Sequence, residues 1–355
     1  MIAQLKDRLK KNWFLLSIVL AIVVAKFQPW IGAKDGPLAP EYTVKYVAVF
    51  VIFFNSGLSI KTEEFSKALY QLEVHAFIQL FTLGFIPVFV KFLIPFLTKL
   101  GILRALLTGF QVVACMPPPV SSAVILTKAA EGNEAVAIFN SAFGSFLGIF
   151  VTPMLLLQLV GTSSSVPVSK IFNQLFLTVV LPIILGNAIR RNFKDFLDRQ
   201  KIPYSLIGNL VLLLIIFTTF CDTFSSSNFE MDKLSLLQIA FVVVIFQIFV
   251  LTLTFNLSTN ENVGKKLRFQ PADTVAIIFC STHKSLTLGI PMLKIIFSQD
   301  PNLPLYSIPL LVYHPTQILL GGTLVPAVHR WMKKEQKKID NAVDSANEIY
   351  PPSEA

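Results

Sequence analysis

Charged residues are scarce in this sequence of 355 residues. Asp, Glu, Lys and Arg together make up 14% of the chain, whereas hydrophobic residues make up 54%. Soluble domains carry about 25% charged residues, and the mean hydropathy of this chain is +0.65. This shortage of charge excludes an ordinary soluble globular domain and indicates a chain that lies largely in a lipid bilayer.

Cysteine and the sequence signatures of enzymes are also scarce. Cys115, Cys221 and Cys280 each lie inside an apolar run without C-x-x-C spacing, so we expect neither a disulfide framework nor a cysteine metal site. No Walker loop, dinucleotide fingerprint or G-x-S-x-G elbow occurs. An intramembrane enzyme that used His283 or His314 would need a nucleophile–base pair, and none is visible. We therefore expect neither an enzyme nor a bound cofactor.

Positive charge exceeds negative charge, with a formal net charge of +9 at pH 7. The basic residues cluster at the ends of apolar runs, which is typical of the cytoplasmic loops of membrane proteins. We therefore expect membrane lipid, and no nucleic acid, as a partner. The basic start followed by an apolar stretch resembles a signal peptide. Residues 25–30 offer a lysine and a proline in place of a cleavage site, which favours a retained first span.

Apolar segments of about 20 residues, the length that crosses a membrane, recur ten times. Their predicted limits are 13–30, 43–60, 72–93, 103–129, 134–160, 170–190, 204–224, 234–256, 271–297 and 305–331. Ten spans place both termini on one side, and the excess of basic residues in the loops of that side predicts that it is cytoplasmic. We expect an all-α polytopic membrane protein with one transmembrane domain over residues 1–331 and a disordered cytoplasmic tail over residues 332–355.

Two halves of the chain, residues 13–160 and 170–331, show a weak internal similarity. Span five carries Leu147-Gly148 and then Pro153, and span ten repeats this L-G-x-x-x-x-P pattern at residues 320–326. Five spans in each half mean that the second half enters the membrane from the opposite side. The sequence therefore predicts two inverted five-helix repeats, with corresponding interrupted spans four and nine.

Three consecutive prolines, Pro117, Pro118 and Pro119, interrupt span four. Proline has no backbone N–H and clashes with the preceding helical turn, so a continuous helix cannot pass through them. Carbonyl groups freed at membrane depth must be buried in protein or line a cavity, because lipid cannot satisfy them. Ser121 and Ser122 follow at the start of a second half-helix, whose N-terminus carries partial positive charge. This pattern is typical of a transporter binding site.

Polar residues also interrupt span nine, where Thr282, His283, Lys284 and Ser285 lie in an apolar frame before Gly289. Ionisable residues inside spans are costly, which makes them functional candidates. The alternative is that Lys284 and His283 act as structural polar contacts, with Lys284 paired to a residue such as Asp222. We hypothesise instead that the Lys284 ammonium stands as a tethered cation where an ion would sit, or that it loses its proton during a transport cycle.

Other polar residues could line the same cavity. Asn140 and Ser141 in span five lie within a helical turn of Gly144 and could face the span-four break, or they could pack between helices as small polar residues do in membranes. Gln79 in span three is a further candidate for lining the cavity.

Two long motifs carry a family resemblance. CMPPPVSSAVILTKAAEGNEAVAIFNSAFGS in spans four and five, and FCSTHKSLTLGIPML in span nine, make the chain resemble the SBF-like branch of the bile acid:sodium symporter family from about Trp13 to Trp331. The resemblance implies two inverted repeats whose unwound spans four and nine cross near the membrane centre. It also implies sodium ions beside that crossing and an organic anion in a neighbouring cavity.

Site residues carry over from the family only in part. The ligands after the span-four break fall on Ser121 and Ser122, and the span-five hydroxyl falls on Ser141, so the resemblance implies sodium there. Span nine departs from the pattern. The position of a carboxylate in other members falls on Phe279 or Cys280, and the amide positions fall on His283 and Lys284, so this chain has no acid in that span-nine stretch.

Two functions are compatible with these patterns. One is a secondary transporter, coupled to sodium or protons, that carries a small organic anion. The alternative is a non-transporting membrane regulator of calcium entry that acts through membrane-protein partners, favoured by the missing carboxylate and the basic loops. The resemblance also implies a link to calcium homeostasis and to glycoprotein and glycosaminoglycan production, with a location in the endoplasmic reticulum, Golgi apparatus and plasma membrane.

Overall fold

Helices make up the architecture of the computed structural model, which describes residues 13–59, 71–119, 122–161, 173, 176–200, 202–225, 233–260, 263–264, 266–267, 269–297 and 300–349. No β-strand occurs within these ranges. The principal α-helices are α1 (Trp13–Phe27), α2 (Val49–Ser59), α3 (Leu72–Lys99), α4 (Arg104–Ala114), α5 (Ser122–Ala129), α6 (Glu134–Leu159), α7 (Leu181–Asn192), α8 (Lys194–Gln200), α9 (Tyr204–Ser225), α10 (Lys233–Thr259), α11 (Pro271–Thr282), α12 (Leu286–Ile296) and α13 (Leu303–Ile349). Short one-turn and π-helical segments occupy Pro29–Ile31, Pro40–Tyr42, Thr43–Ala48 and Phe176–Val180.

Five helical segments are long and apolar enough to cross a membrane. They are Leu72–Lys99, Glu134–Leu159, Lys233–Thr259, Pro271–Ile296 and Leu303–Asn341. Shorter apolar helices, Leu16–Phe27, Tyr46–Asn55, Arg104–Ala114 and Leu206–Asp222, occupy the segments predicted as spans one, two, four and seven. Length and composition therefore establish a multi-span helical protein, while the predicted number of ten spans stays a prediction.

The pair α11 and α12 lies at the centre of the molecule. Protein surrounds 94% of the apolar window of this pair, against 33% to 44% for the other four long segments. The outer helices direct leucine, phenylalanine and isoleucine side chains outward, as a lipid-facing surface requires. The segment that carries Lys284 is thus the one most completely shielded from the surroundings of the protein.

Close helix contacts surround this centre. Gly57 of α2 and Gly186 of α7 meet so tightly that a Cβ atom on Gly57 would lie 2.4 Å from the Ile183 carbonyl, and one on Gly186 would lie 2.3 Å from the Phe54 carbonyl. Small residues allow such close approach between membrane helices, where packing rather than the hydrophobic effect holds the helices together.

The predicted disordered tail is wrong over most of its length. Helix α13 runs without interruption from the last apolar segment to Ile349, whereas disorder was predicted from Met332. Nucleation is the unfavourable step of helix formation, and the preceding apolar segment is already helical. Extending that helix through good helix formers such as Lys333, Glu335 and Lys338 is therefore favourable. Lys338 Nζ also lies 2.8 Å from Glu335 Oε1 one turn away. Residues 350–355 lie outside the described part of the chain.

Candidate functional site

Two helix interruptions meet at the centre of the molecule. We call residues Cys115–Pro119, between α4 and α5, break one, and residues His283–Ser285, between α11 and α12, break two. Both lie in the spans where the sequence predicted interruptions. They are joined directly, because the Ser285 backbone N–H donates to the Pro117 carbonyl at 2.9 Å. The unwound stretches of two helices thus complete each other's hydrogen bonding.

Break one is rich in acceptors because its prolines remove donors and its carbonyls have left the helical ladder. Helix α6 covers two of these carbonyls. Thr152 Oγ1 donates to the Cys115 carbonyl at 2.9 Å, and Ser145 Oγ donates to the Pro118 carbonyl at 3.2 Å. This arrangement satisfies part of the demand that buried backbone groups be paired. The Met116 and Pro117 carbonyls of break one accept hydrogen bonds from break two instead.

The Lys284 ammonium satisfies the Met116 carbonyl of break one and the Ala114 carbonyl at the end of α4. Its Nζ atom donates to the carbonyls of Ala114 and Met116, both at 2.9 Å, and to the carbonyl and hydroxyl oxygens of Thr82 at 2.8 and 3.0 Å. The lysine side chain is 0% exposed. These four oxygens, which we call the oxygen cage, are neutral dipoles and none is a carboxylate. Unwound carbonyls and hydroxyls of this kind are what transporters use to coordinate sodium.

The structural pairing of Lys284 with Asp222 that the sequence left open is not present. Asp222 Oδ1 accepts from the Lys34 backbone N–H at 2.6 Å, and its Oδ2 lies 3.9 Å from Lys294 Nζ. The Lys284 ammonium therefore finds its partners in carbonyls of α4, break one and α3 and in the Thr82 hydroxyl, and Asp222 belongs to a separate contact near the end of α9.

Gln317 and Tyr313 of α13 hold break two in place. The Gln317 side chain accepts from the Lys284 backbone N–H at 2.7 Å and donates to the Lys284 carbonyl at 3.1 Å. Tyr313 Oη donates to the Thr282 carbonyl at 2.8 Å. Break two has an extended backbone, with φ −81° and ψ 145° at His283, and Ser285 caps α12 by accepting from the Leu288 N–H. The lysine is thus fixed at both its backbone and its ammonium.

Sequence reasoning missed several residues of this site. Thr82 lies in α3 where π-helical turns replace the α-helical ladder over Leu80–Phe85, a feature found often at functional sites. Its only sequence signal is a hydroxyl in an apolar run, three residues after Gln79. For Gln317, Tyr313, Thr152 and Ser145 the sequence offers no signal beyond a polar atom at membrane depth.

The predicted residue Gln79 faces break one. Its Nε2 donates to the backbone and side-chain oxygens of Asn140 at 3.1 and 3.2 Å. Its Oε1 is buried without a partner among the described residues. A Cβ atom on Gly144 would lie 2.8 Å from both that oxygen and Pro118, so the free oxygen points toward the break. Asn140 reaches the break only through Gln79, because its own Nδ2 lies 2.8 Å from His75 Nδ1.

His283 contacts the start of the second half-helix of break one. Its Nδ1 lies 3.1 Å from Ser122 Oγ, and its Nε2 is buried without a partner in the described chain. Ser121 lies outside the described residues. Thr282 donates back to the Ile278 carbonyl at 2.7 Å, and Ser141 Oγ lies 3.9 Å from Cys280 Sγ. The hydroxyls of Thr282 and Ser141 therefore do not reach the oxygen cage, and Pro119 is buried in break one.

The repeated L-G-x-x-x-x-P pattern places a glycine against each break. A Cβ atom on Gly148 of α6 would lie 2.5 Å from Pro117 of break one. A Cβ atom on Gly321 of α13 would lie 3.3 Å from His283 Nε2 of break two and 2.5 Å from Leu126. Each motif glycine therefore lies against the break in its own half of the chain, and the approach is closer at Gly148 than at Gly321.

Known proteins share this sequence over nearly its whole length. Residues 12–330 match the SBF-like CPA transporter family. Sodium/bile acid cotransporter 7 of Rattus norvegicus is 57% identical over 95% of this chain and 98% of its own length, and the Danio rerio protein of that name is 56% identical over 94% and 98%. Solute carrier RCH1 of Candida albicans is 26% identical over 92% of this chain and 90% of its own length.

These similarities confirm the family resemblance drawn from the two sequence motifs. The family is one of transporters rather than enzymes, which agrees with the expectation that the chain is not an enzyme. Together with the apolar helices and the two breaks, the match over residues 12–330 establishes the class of protein. The chain is a multi-pass membrane protein that belongs to the SBF-like CPA transporter family.

Proposed function

We propose that the protein is a secondary active transporter of a small organic anion, in which the Lys284 ammonium takes the place of a bound sodium ion. The observation that carries this proposal is the oxygen cage around a fully buried lysine at the meeting point of the two breaks. Membership of the transporter family supports the general activity of transport. The cage supports coupling to fewer sodium ions, because the lysine occupies the position of one of them.

The electrostatics of the cage favour an anionic substrate. A carboxylate beside a bound sodium would leave the region nearly neutral, whereas the four cage oxygens are dipoles that leave the charge of the ammonium uncompensated. A charge in a low-dielectric surrounding acts over longer distances than in water, so this charge would attract an anion into the adjoining cavity. Gln79, with its free oxygen beside break one, would then contact the polar part of the solute.

Sodium or protons remain the coupling ions in this proposal, with a reduced demand for sodium. Ser121, Ser122 and Ser141 are the proposed ligands of one remaining sodium ion. Ser141 Oγ makes only a long thiol contact in the structure, so its oxygen is available to a cation. With one cation site filled by a lysine, the dependence of transport on sodium should be shallow.

We further propose the ten-span arrangement with two inverted repeats, residues 13–160 and 170–331, and cytoplasmic termini. The glycine of each repeated motif against its own break supports it. A cysteine placed singly between Phe193 and Pro203 should resist a membrane-impermeant maleimide in intact cells and react once the plasma membrane is permeabilised. Labelling from outside would overturn both the topology and the inversion.

The alternative function is a regulator of calcium entry that transports nothing itself. The proposed locations, the secretory pathway and the plasma membrane, and the link to calcium and to glycoprotein production rest on the likeness to sodium/bile acid cotransporter 7. Under this alternative the oxygen cage would be a purely structural lock, and membrane-protein partners would carry the calcium.

Reconstitution of the purified chain separates these functions. Uptake of labelled organic anions into proteoliposomes should occur with the protein alone, and sodium should change its rate with a Hill coefficient near one or below. A steep dependence that requires two sodium ions would refute the lysine-for-sodium proposal. An absence of uptake for every anion and ion gradient, with calcium entry still restrained in cells that express the protein, would favour the regulator.

A further inference from the structure

Three cations at the end of the apolar part of α13 form a row on the surface of the helix. Arg330, Lys334 and Lys337 are all exposed. Their spacing of i, i+4 and i+7 places them along one face of the helix. We call these three residues the basic stripe. Over the ranges that the structure covers, none of the three takes part in an ion pair or side-chain hydrogen bond.

Two neighbouring acids are paired with cations outside the basic stripe. Glu131 pairs with Lys333 at 2.8 Å, and Glu335 pairs with Lys338 at 2.8 Å. Asp340, one turn after Lys337, accepts from the neutral Gln336 Nε2 at 3.0 Å and keeps its charge. Three cations against this one acid leave the stripe with net positive charge on the outside of the protein.

Aromatic residues fix the depth of the stripe. Trp331, directly after Arg330, packs edge-to-face on Phe255 of α10 with ring centroids 5.0 Å apart. Tryptophan concentrates at the level of the lipid headgroups, where its ring is apolar and its N–H is polar. The helix is continuous through this point, so Arg330, Lys334 and Lys337 begin at that level and extend into the aqueous side. His329 Nδ1, 3.2 Å from the Ala130 carbonyl, fixes an adjacent face of the helix to the loop after α5.

We propose that the basic stripe is a binding site for the headgroups of anionic phospholipids in the leaflet that faces it. Phosphate and carboxylate groups of such headgroups complement a row of cations, and juxtamembrane clusters of lysine and arginine are attracted to negative leaflets. Arg330, at the tryptophan level, would contact the lipid phosphate, and Lys334 and Lys337 would contact the more exposed parts of the headgroup. The assignment of this leaflet as cytoplasmic rests on the topology given under the proposed function; the binding itself does not.

The test uses the purified full-length chain in phosphatidylcholine nanodiscs with and without phosphatidylserine. Electron spin resonance of spin-labelled phosphatidylserine, relative to spin-labelled phosphatidylcholine, measures selectivity at the protein surface. The triple variant Arg330→Gln/Lys334→Gln/Lys337→Gln should lose selectivity by a factor on the order of 100, since each lysine or arginine that contacts the headgroup contributes about fivefold. The matched control Arg191→Gln/Arg199→Gln/Lys266→Gln removes the same charge from exposed basic residues on α7, on α8 and between α10 and α11. These three residues do not form a row on one helix face, so the control should retain most of the selectivity.

Two further measurements, a salt titration and a competition with the soluble headgroup, can contradict the proposal. Added salt should weaken the selectivity of the parent more than that of the stripe variant, because the contacts are electrostatic. Soluble glycerophosphoserine, which has the headgroup without chains, should compete poorly. Unchanged selectivity in the stripe variant, an equal loss in the control, or equally strong binding of the soluble headgroup would each overturn a lipid site at the stripe. Anion uptake by the variant in neutral vesicles should match the parent, so failure here is distinguishable from failure of the proposed function.

Discussion

The two breaks differ in what they bring to their shared hydrogen bonds: break one supplies acceptors and break two supplies donors. Break one interrupts its helix with three prolines, which removes N–H donors and leaves carbonyls to be satisfied. Break two contains no proline and interrupts its helix with His283, Lys284 and Ser285, which bring donors. The acceptors of one meet the donors of the other at Ser285 N to Pro117 O and at Lys284 Nζ to two carbonyls.

This complementarity makes each break depend on the other. Unpaired polar groups at membrane depth each cost several kcal/mol, about what a lost hydrogen bond costs in an apolar medium. Break one alone would expose carbonyls, and break two alone would bury an ammonium without acceptors. The crossing is therefore stable only as a pair, and a conformational change that separates the breaks must supply replacement partners, such as a coupling ion or the substrate.

Removing the lysine should have the largest effect. Lys284→Met keeps most of the apolar stem but lacks the ammonium, and it leaves the Thr82, Ala114 and Met116 oxygens unsatisfied, at about 1–3 kcal/mol each. We expect uptake in proteoliposomes to be lost at normal expression and the melting temperature of the purified protein to fall. Lys294→Met is the matched control, because the Lys294 side chain is only 14% exposed and lies 3.9 Å from Asp222, away from the cage; its uptake should persist.

A smaller side chain at position 284 tests whether the oxygen cage can bind a sodium ion. Lys284→Ala leaves space in the oxygen cage, so sodium chloride should raise the melting temperature of this variant more than choline chloride does. In the parent the ammonium fills the cage, so the difference between sodium chloride and choline chloride should be smaller and should come only from the proposed sodium site at Ser121, Ser122 and Ser141. A methionine variant with normal uptake, or an alanine variant indifferent to sodium, would contradict the role of Lys284 as a cation substitute.

Restoring a continuous helix at break one should have the next largest effect. Pro118→Ala with Pro119→Ala supplies two N–H groups and removes two ring clashes, so the helix can extend and withdraw carbonyls from break two. We expect normal insertion, since the segment stays apolar, and loss of uptake. Pro95→Ala in α3, an exposed proline inside a helix, should leave uptake intact. Full complementation of a null cell by the double variant would mean that the prolines merely bend the helix.

Loosening break two without touching its charge should have a smaller effect. Gln317→Leu removes both bonds to the Lys284 backbone, which should cost about 2–4 kcal/mol because a donor and an acceptor are left buried. Gln317→Glu, with its carboxyl group protonated, keeps an acceptor for the Lys284 N–H and a donor for the Lys284 carbonyl, and should lose less stability. Thermal unfolding of the three proteins checks this order. Equal stability of the leucine variant and the parent would show that Gln317 does not position break two.

The existence of the breaks could be predicted from sequence, because proline runs and ionisable residues at membrane depth have local physical consequences. The oxygen cage could not. Thr82 is separated from Lys284 by 202 residues. Three of the four oxygens are backbone carbonyls, and because every residue has a carbonyl group, the sequence does not show which of them are free. Charge alone suggested Asp222 as the partner of Lys284, but depth along the span decides pairing, and Asp222 lies at a helix end. Composition likewise predicted a disordered tail because it ignores the helix that precedes it.

The smallest effect is expected when an ion pair outside the membrane segments, between Lys333 and Glu131, is removed. Lys333 pairs with Glu131 at the end of α5, where both side chains are more than half exposed. The hydrogen bond from Lys333, and then its charge, lower the pKa of Glu131 below its usual value of 4.5. Because the pKa of Glu131 is lower in the folded state, the ion pair stabilises the fold at pH values above the pKa of the unfolded state. This stabilisation is lost as the pH falls through the lower pKa of the folded state.

Exposed pairs contribute little and are screened by salt. Glu131→Gln should therefore leave uptake and melting temperature at neutral pH unchanged, in contrast to Lys284→Met. Parent and variant should also become alike in stability at acidic pH. Loss of uptake in Glu131→Gln with an unchanged melting temperature would instead identify this exposed pair as part of the transport cycle, and would remove the contrast between the two lysines.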